Sequence, residues 1–163
     1  MVYISFGSFL SVRADVLAKV VDALRPLPVR VALAIGSADP AVVGDVPSSW
    51  LVREFLPQVA LLERAALAVT HGGNNSVTES LTCGVPMLVL PFSTDQFAGA
   101  AAVEHAGVGE VLDPNAVTVA ELRSTLNSIL QGNHGVLAAE IGAALRARPG
   151  REVAKESMVL ARA

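Results

Sequence analysis

Between Ala66 and Thr82 the apolar spacing changes character across a six-residue punctuation, His71-Gly72-Gly73-Asn74-Asn75-Ser76. Ala66 to Thr70 is a short continuous apolar run, the pattern of a buried strand. From Asn75 to Thr82 the apolar positions fall one turn apart, with Val77 and Leu81 on the side that packs. A strand that turns into a helix through two glycines restricts the chain to a small set of folds. The glycines let the backbone bend tightly and approach a ligand closely. The first free N–H groups of the helix then point at whatever lies above the turn, and an anion is their natural guest.

The same alternation runs through the chain. Strands are predicted at 2–6, 29–35, 50–55, 66–70, 87–90 and 109–112. Helices are predicted at 15–24, 58–64, 75–82, 95–105, 119–130, 136–146 and 151–160. Pro26 and Pro28 end the first helix, and Gly84 closes the central one before Val85-Pro86, which forbids its continuation. Ser37 to Ser49 reads as a surface loop, and Gly132 to Gly135 as an exposed turn carrying His134. Strands alternating with helices at these lengths imply an α/β fold: a Rossmann-like parallel sheet with helices on both faces. In such folds ligands lie beyond the carboxyl ends of the strands. The loops there are Gly7-Ser8, Phe55 to Gln58, His71 to Ser76 and Pro91 to Gln96.

Each polar residue on those loops has a functional and a structural reading. His71 either donates a hydrogen bond or charge to a phosphate, or plugs a strand end. Asn75 and Ser76 either offer N–H groups to an anion or cap the helix. Glu79 is a ligand carboxylate or a partner of the helix dipole. Gly7 and Ser8 border the phosphates or the acceptor, or form a simple turn. Phe55 stands at a strand end, where ordinary core is the structural reading. Gln58 and Asp95 either touch a ligand or cap the helices they open.

From Phe55 to Gln96 the chain resembles the nucleotide-sugar-binding signature of the plant and bacterial UDP-glycosyltransferases, glycosyltransferase family 1, which have a two-domain GT-B architecture. The matching residues are Phe55, Pro57, Gln58, His71, Gly73, Asn75, Ser76, Glu79, Gly84, Val85, Pro86, Pro91, Asp95 and Gln96. Phe55 and Asn74 stand where plant members have Trp, so the likeness is to the bacterial form. The resemblance extends more loosely from Val2 to Leu130.

The resemblance implies a donor site for a UDP- or dTDP-sugar, bound as substrate with no cofactor. Phe55 would stack on the base and the Leu56 backbone would meet its edge. Gln58 belongs to the same segment. His71, Gly73, Asn75 and Ser76, with Ser8 beside them, would take the diphosphate. Glu79 would accept the ribose hydroxyls, and Asp95 and Gln96 would read the sugar. The reaction implied is inverting transfer of a hexose to a small-molecule hydroxyl.

Members carry an acceptor-binding domain ahead of a strand like Val2 to Phe6. The expectation is therefore that residues 1–163 form a single donor-binding domain, the C-terminal half of a larger enzyme. The general base is expected on that N-terminal domain, leaving no catalytic residue here and an isolated chain without turnover. The rivals are a free-standing donor subunit that docks on a separate partner, a non-catalytic nucleotide-sugar sensor and a GT-B-fold epimerase. Pro91 to Gln96 suits the epimerase poorly.

Composition narrows the classes. With 163 residues, 52% hydrophobic, and a net charge of −3, the chain has material for one full core but no basic surface for nucleic acid. The single cysteine, Cys83, precludes an internal disulfide and fits a cytoplasmic location as a small packed residue. No apolar run reaches membrane-span length. No Asp-x-Asp pair, His-x-x-x-His spacing or cysteine cluster implies a metal.

Overall fold

In the computed structural model, residues 1–7, 13–148 and 150 are described. The chain alternates β1 (Val2–Ser5), α1 (Ala14–Leu24), β2 (Val31–Ala34), β3 (Leu51–Arg53), α2 (Gln58–Leu62), β4 (Leu67–Thr70), α3 (Asn74–Cys83), β5 (Met87–Val89), α4 (Thr94–His105), β6 (Gly109–Val111), α5 (Val119–Gln131) and α6 (His134–Ala147). A short 3-10 turn at Pro40–Val42 interrupts the expected loop, with the Asp39 carboxylate accepting from the Ala41 N–H. The expected helix at 151–160 lies outside the described residues.

The six strands form one parallel sheet in the order β3-β2-β1-β4-β5-β6. This is the doubly wound order, which reverses direction between β1 and β4 and opens a crevice at their carboxyl ends. The loops after those two strands hold Gly7 and His71.

Alternation along the strands sorts the core into two layers. Val2 and Ile4 of β1, Val31 and Leu33 of β2, and Leu67 and Val69 of β4 pack with α1 and α5. On α5, Leu122, Leu126 and Ile129 recur at helical spacing and are essentially inaccessible to solvent, each contributing about 1.5–3 kcal/mol by burial. Tyr3, Ala32, Ala68, Met87 and Val89 form the opposite layer with Leu62 of α2, Val77 of α3, Ala100 and Val103 of α4, and Ala138 of α6.

Local chemistry sets the helix ends. α5 begins with a reciprocal cap in which Glu121 accepts from the Thr118 N–H at 2.8 Å and Thr118 Oγ1 accepts from the Glu121 N–H at 3.2 Å. α3 ends at Gly84, which takes the left-handed conformation with φ +73°.

His134 departs from expectation. It opens α6 rather than sitting in an exposed turn, with Nε2 3.9 Å from Glu110 on β6. The helix starts two residues before its first apolar residue, which is the position apolar periodicity marks.

Candidate functional site

The site is built around the β4–α3 turn. Gly72 takes φ +85°, and a Cβ there would lie 2.7 Å from Val89 Cγ1. The turn is therefore closed to any larger residue. Gly73 is the N-cap of α3 and supplies no side chain to the helix N-terminus. The expected alternative, Asn75 and Ser76 as caps, fails for this reason: they are the second and third residues inside the helix. Among the described residues, no protein acceptor engages the N–H groups of Asn74, Asn75 and Ser76. Both asparagines are exposed and Ser76 is half-buried, so these donors and the positive end of the helix dipole face the crevice.

His71 lies between the two strand-end loops. A Cβ on Gly73 would stand 2.5 Å from its Nε2, and one on Gly7 would stand 3.2 Å from its Cε1. Burial lowers the His71 pKa below the ordinary 6.5, while the nearby Asp95 carboxylate acts in the opposite direction. The imidazole is therefore neutral at pH 7 and offers a hydrogen bond rather than a full charge. Thr70 Oγ1 accepts from the Gly72 N–H at 3.3 Å and lies 3.5 Å from His71 Nδ1.

Phe55 is 66% exposed, which removes the expectation that it is core. It lines a cleft together with Leu56, Gln58, Gly7, Gly36 and Glu54. Gln58 does not cap α2, whose N-cap is Pro57. Its Nε2 donates to Glu79 Oε2 at 2.7 Å, and its Oε1 accepts from the Tyr3 hydroxyl at 3.2 Å. Glu79 is the sixth residue of α3, beyond the first turn, so the dipole-partner reading is unsupported: that effect decays within one turn. Tyr3 was hidden in the sequence because its position reads simply as strand core.

At the start of α4, Asp95 is exposed and accepts from Ser93 Oγ at 3.3 Å. Gln96 is 2% exposed, and its Oε1 accepts from the N–H groups of Phe92 at 2.7 Å and Ser93 at 3.2 Å. Its carbonyl is thus engaged in holding the Pro91–Ser93 loop. That changes its expected part in reading a sugar, because the amide N–H is the group left to offer. Ser8 lies outside the described residues.

Two further sequence readings concern the rest of the molecule. Cys83 is half-buried, and burial followed by the Glu63 carboxylate raises its pKa, which keeps it protonated. His105 sits in the last turn of α4. Among the described residues, no cluster of three or more His, Cys, Asp or Glu is placed to hold a metal ion, and no helix is long and apolar enough to cross a membrane.

The family model for UDP-glucoronosyl and UDP-glucosyl transferase matches residues 1–136. The chain is 31% identical over 161 residues to the uncharacterized UDP-glucosyltransferase YojK of Bacillus subtilis (strain 168), covering 98% of this chain and 40% of that protein. It is 33% identical over 127 residues to the oleandomycin glycosyltransferase of Streptomyces antibioticus, covering 77% of this chain and 30% of that one. Among solved structures, the glycotransferase of kitacinnamycin aligns with a TM-score of 0.87 at 31% identity, over 96% of this chain and 41% of that chain. The parallel, Rossmann-like α/β architecture is the one found in these GT-B glycosyltransferase neighbours. The chain spans 30–41% of the length of these relatives.

Proposed function

The chain belongs to the UDP-glucoronosyl and UDP-glucosyl transferase family, and we propose that it forms the donor side of an inverting, metal-independent hexosyl transfer from UDP to a small-molecule hydroxyl. The observation that carries this reading is the α3 N-terminus, uncapped by its own Gly73, facing the sheet's crevice beside a neutral His71.

The residues divide by chemistry. The N–H groups of Asn74, Asn75 and Ser76, with His71, take the diphosphate. Glu79 takes the ribose hydroxyls, Phe55 stacks on the base and the Leu56 backbone meets the base edge. Asp95 and the Gln96 amide N–H contact the sugar. In the reaction, the acceptor oxygen forms its bond to C1 as the bond from C1 to the β-phosphate oxygen breaks. The electron pair leaves with UDP, and the hydroxyl proton passes to a general base on an acceptor-binding domain or partner subunit. Negative charge grows on the departing phosphate, where the helix N–H groups and His71 are already oriented. Donors fixed in that way are each worth roughly a hundred- to a thousandfold in rate.

The test is calorimetric titration of the chain with UDP and with dTDP. UDP binds with modest affinity, because domain closure completes such sites, and it binds more tightly than dTDP. Loss of the 2′-hydroxyl leaves the Glu79 carboxylate short of one donor, at a cost of about 1–3 kcal/mol, roughly fivefold to a hundredfold in affinity. Glu79→Ala erases most of that gap. Absence of both heat and thermal shift with millimolar UDP would overturn the assignment.

A further inference from the structure

Tyr3 is the chain's one tyrosine, and at 3% exposed it lies in the centre of the sheet. Its partners in register are Ala32 on β2 and Ala68 on β4, two methyl-bearing positions that leave the same face open to a large ring. A phenylalanine would fill that space equally well. The hydroxyl is the part that packing does not require, and it is the part that reaches the site.

That hydroxyl donates to Gln58 Oε1 at 3.2 Å, and Gln58 Nε2 donates to Glu79 Oε2 at 2.7 Å. A primary amide can turn over, presenting either its oxygen or its nitrogen to a neighbour. With the oxygen turned toward Glu79, two acceptors would face each other. The carboxylate, which can only accept, therefore takes the amide N–H, and the Tyr3 hydroxyl donates to the amide oxygen left on the other side and anchors the side chain in that place. Burial, the largest influence, raises the Tyr3 pKa; a hydrogen bond with Ser5 works against the shift and the Glu79 charge adds to it. The phenol accordingly keeps its proton at pH 7. Glu79 Oε1 has no hydrogen-bond partner among the described residues and remains available.

We propose that Tyr3 is a positioning residue for ribose recognition: through Gln58 it holds one oxygen of Glu79 and turns the other toward the vicinal diol of a ribonucleotide. This rests on the reading of the crevice as a nucleoside-diphosphate site. It adds a residue from the middle of a buried strand to a site otherwise made of loops and helices.

The test compares UDP, 2′-deoxy-UDP and inorganic pyrophosphate as ligands of the parent chain, Tyr3→Phe, Gln58→Leu, Glu79→Ala and the double variant Tyr3→Phe/Glu79→Ala. The parent prefers UDP over 2′-deoxy-UDP. Tyr3→Phe shrinks that preference roughly two- to tenfold, the size of one neutral hydrogen bond, and leaves pyrophosphate binding unchanged. Gln58→Leu gives the same loss with Tyr3 intact and carries the test should Tyr3→Phe melt below the assay temperature. The double variant discriminates no less than Glu79→Ala alone, because the relay acts only through that carboxylate. An unchanged preference in Tyr3→Phe, or an equal weakening of all three ligands, overturns the proposal while leaving the donor site standing. Failure of the parent to bind UDP overturns both, and that result is visible before any variant is made.

Discussion

Gly73 and His71 share one space: a Cβ on the glycine would lie 2.5 Å from the imidazole Nε2. The Gly73 backbone, at φ −62° and ψ 146°, is comfortable for any residue. Only the side chain of His71 objects. Gly73→Ala is therefore expected to push the imidazole aside at little cost to folding. UDP affinity should fall about tenfold or more, as for loss of a hydrogen bond to a charged group. Melting temperature and a UDP titration on the same sample check it; a large drop in melting temperature would instead mark the turn as structural.

His71→Ala removes the donor without adding bulk. A hydrogen bond to a charged group is worth about 1.5–3 kcal/mol, so UDP binding should weaken roughly ten- to a hundredfold. Uridine, which has no phosphate, should bind nearly as before. Equal losses for the two ligands would assign His71 to the scaffold.

The depressed pKa of His71 gives a pH signature. The unfolded imidazole takes up its proton near 6.5, and the folded one only at lower pH. The stabilisation this represents is complete above 6.5 and is lost as pH falls through the folded value. Melting curves from pH 7 down to pH 5 should show a steeper loss of stability for the parent than for His71→Asn. UDP bound near pH 6 should draw a proton onto His71, since the phosphate favours the charged ring. Titrations in buffers of differing ionisation enthalpy read the net proton uptake, to which the UDP phosphate also contributes; the difference between the parent and His71→Asn isolates the share of the ring, and no difference would show that the ring stays neutral against the phosphate.

Gly142 carries a stability prediction whose sign depends on packing. In an exposed helix, Gly→Ala gains about 1 kcal/mol. Here a Cβ would stand 2.6 Å from the Leu81 carbonyl oxygen and 2.8 Å from the Gly84 backbone nitrogen. Those are backbone atoms of the neighbouring helix end and cannot turn away. Gly142→Ala should force α6 off α3 and destabilise the chain by about 1–3 kcal/mol, read as a lower urea midpoint. A raised midpoint would show that the two helices separate at no cost.

Periodicity and punctuation were enough to locate the strands and helices of the described residues to within a few residues. Val16, Leu17, Val20, Val21 and Leu24 repeat at helical spacing because one face of α1 must be buried, and that requirement is written locally. The glycines of the β4–α3 turn are legible for the same reason: a sharp bend and a close approach leave few residue choices. The order of the strands is another matter. It depends on which apolar faces pair across the whole chain, and no local window holds that information. Only the tertiary structure brings β1 beside β4 and sets Gly7 against His71. The role of the Gln58 side chain was decided at the same level. Gln58 and Gln96 read alike as residues at helix starts, yet one joins Tyr3 to Glu79 and the other ties down the Phe92 loop. The Gln96 bonds stay within four residues, in a local capping box with Ser93, whereas the Gln58 partners lie 55 and 21 residues away in the chain, and only the fold brings them within hydrogen-bond reach. Tyr3 was unreadable as a site residue for that reason, since a strand residue shows its face in the sequence but not what its hydroxyl will meet.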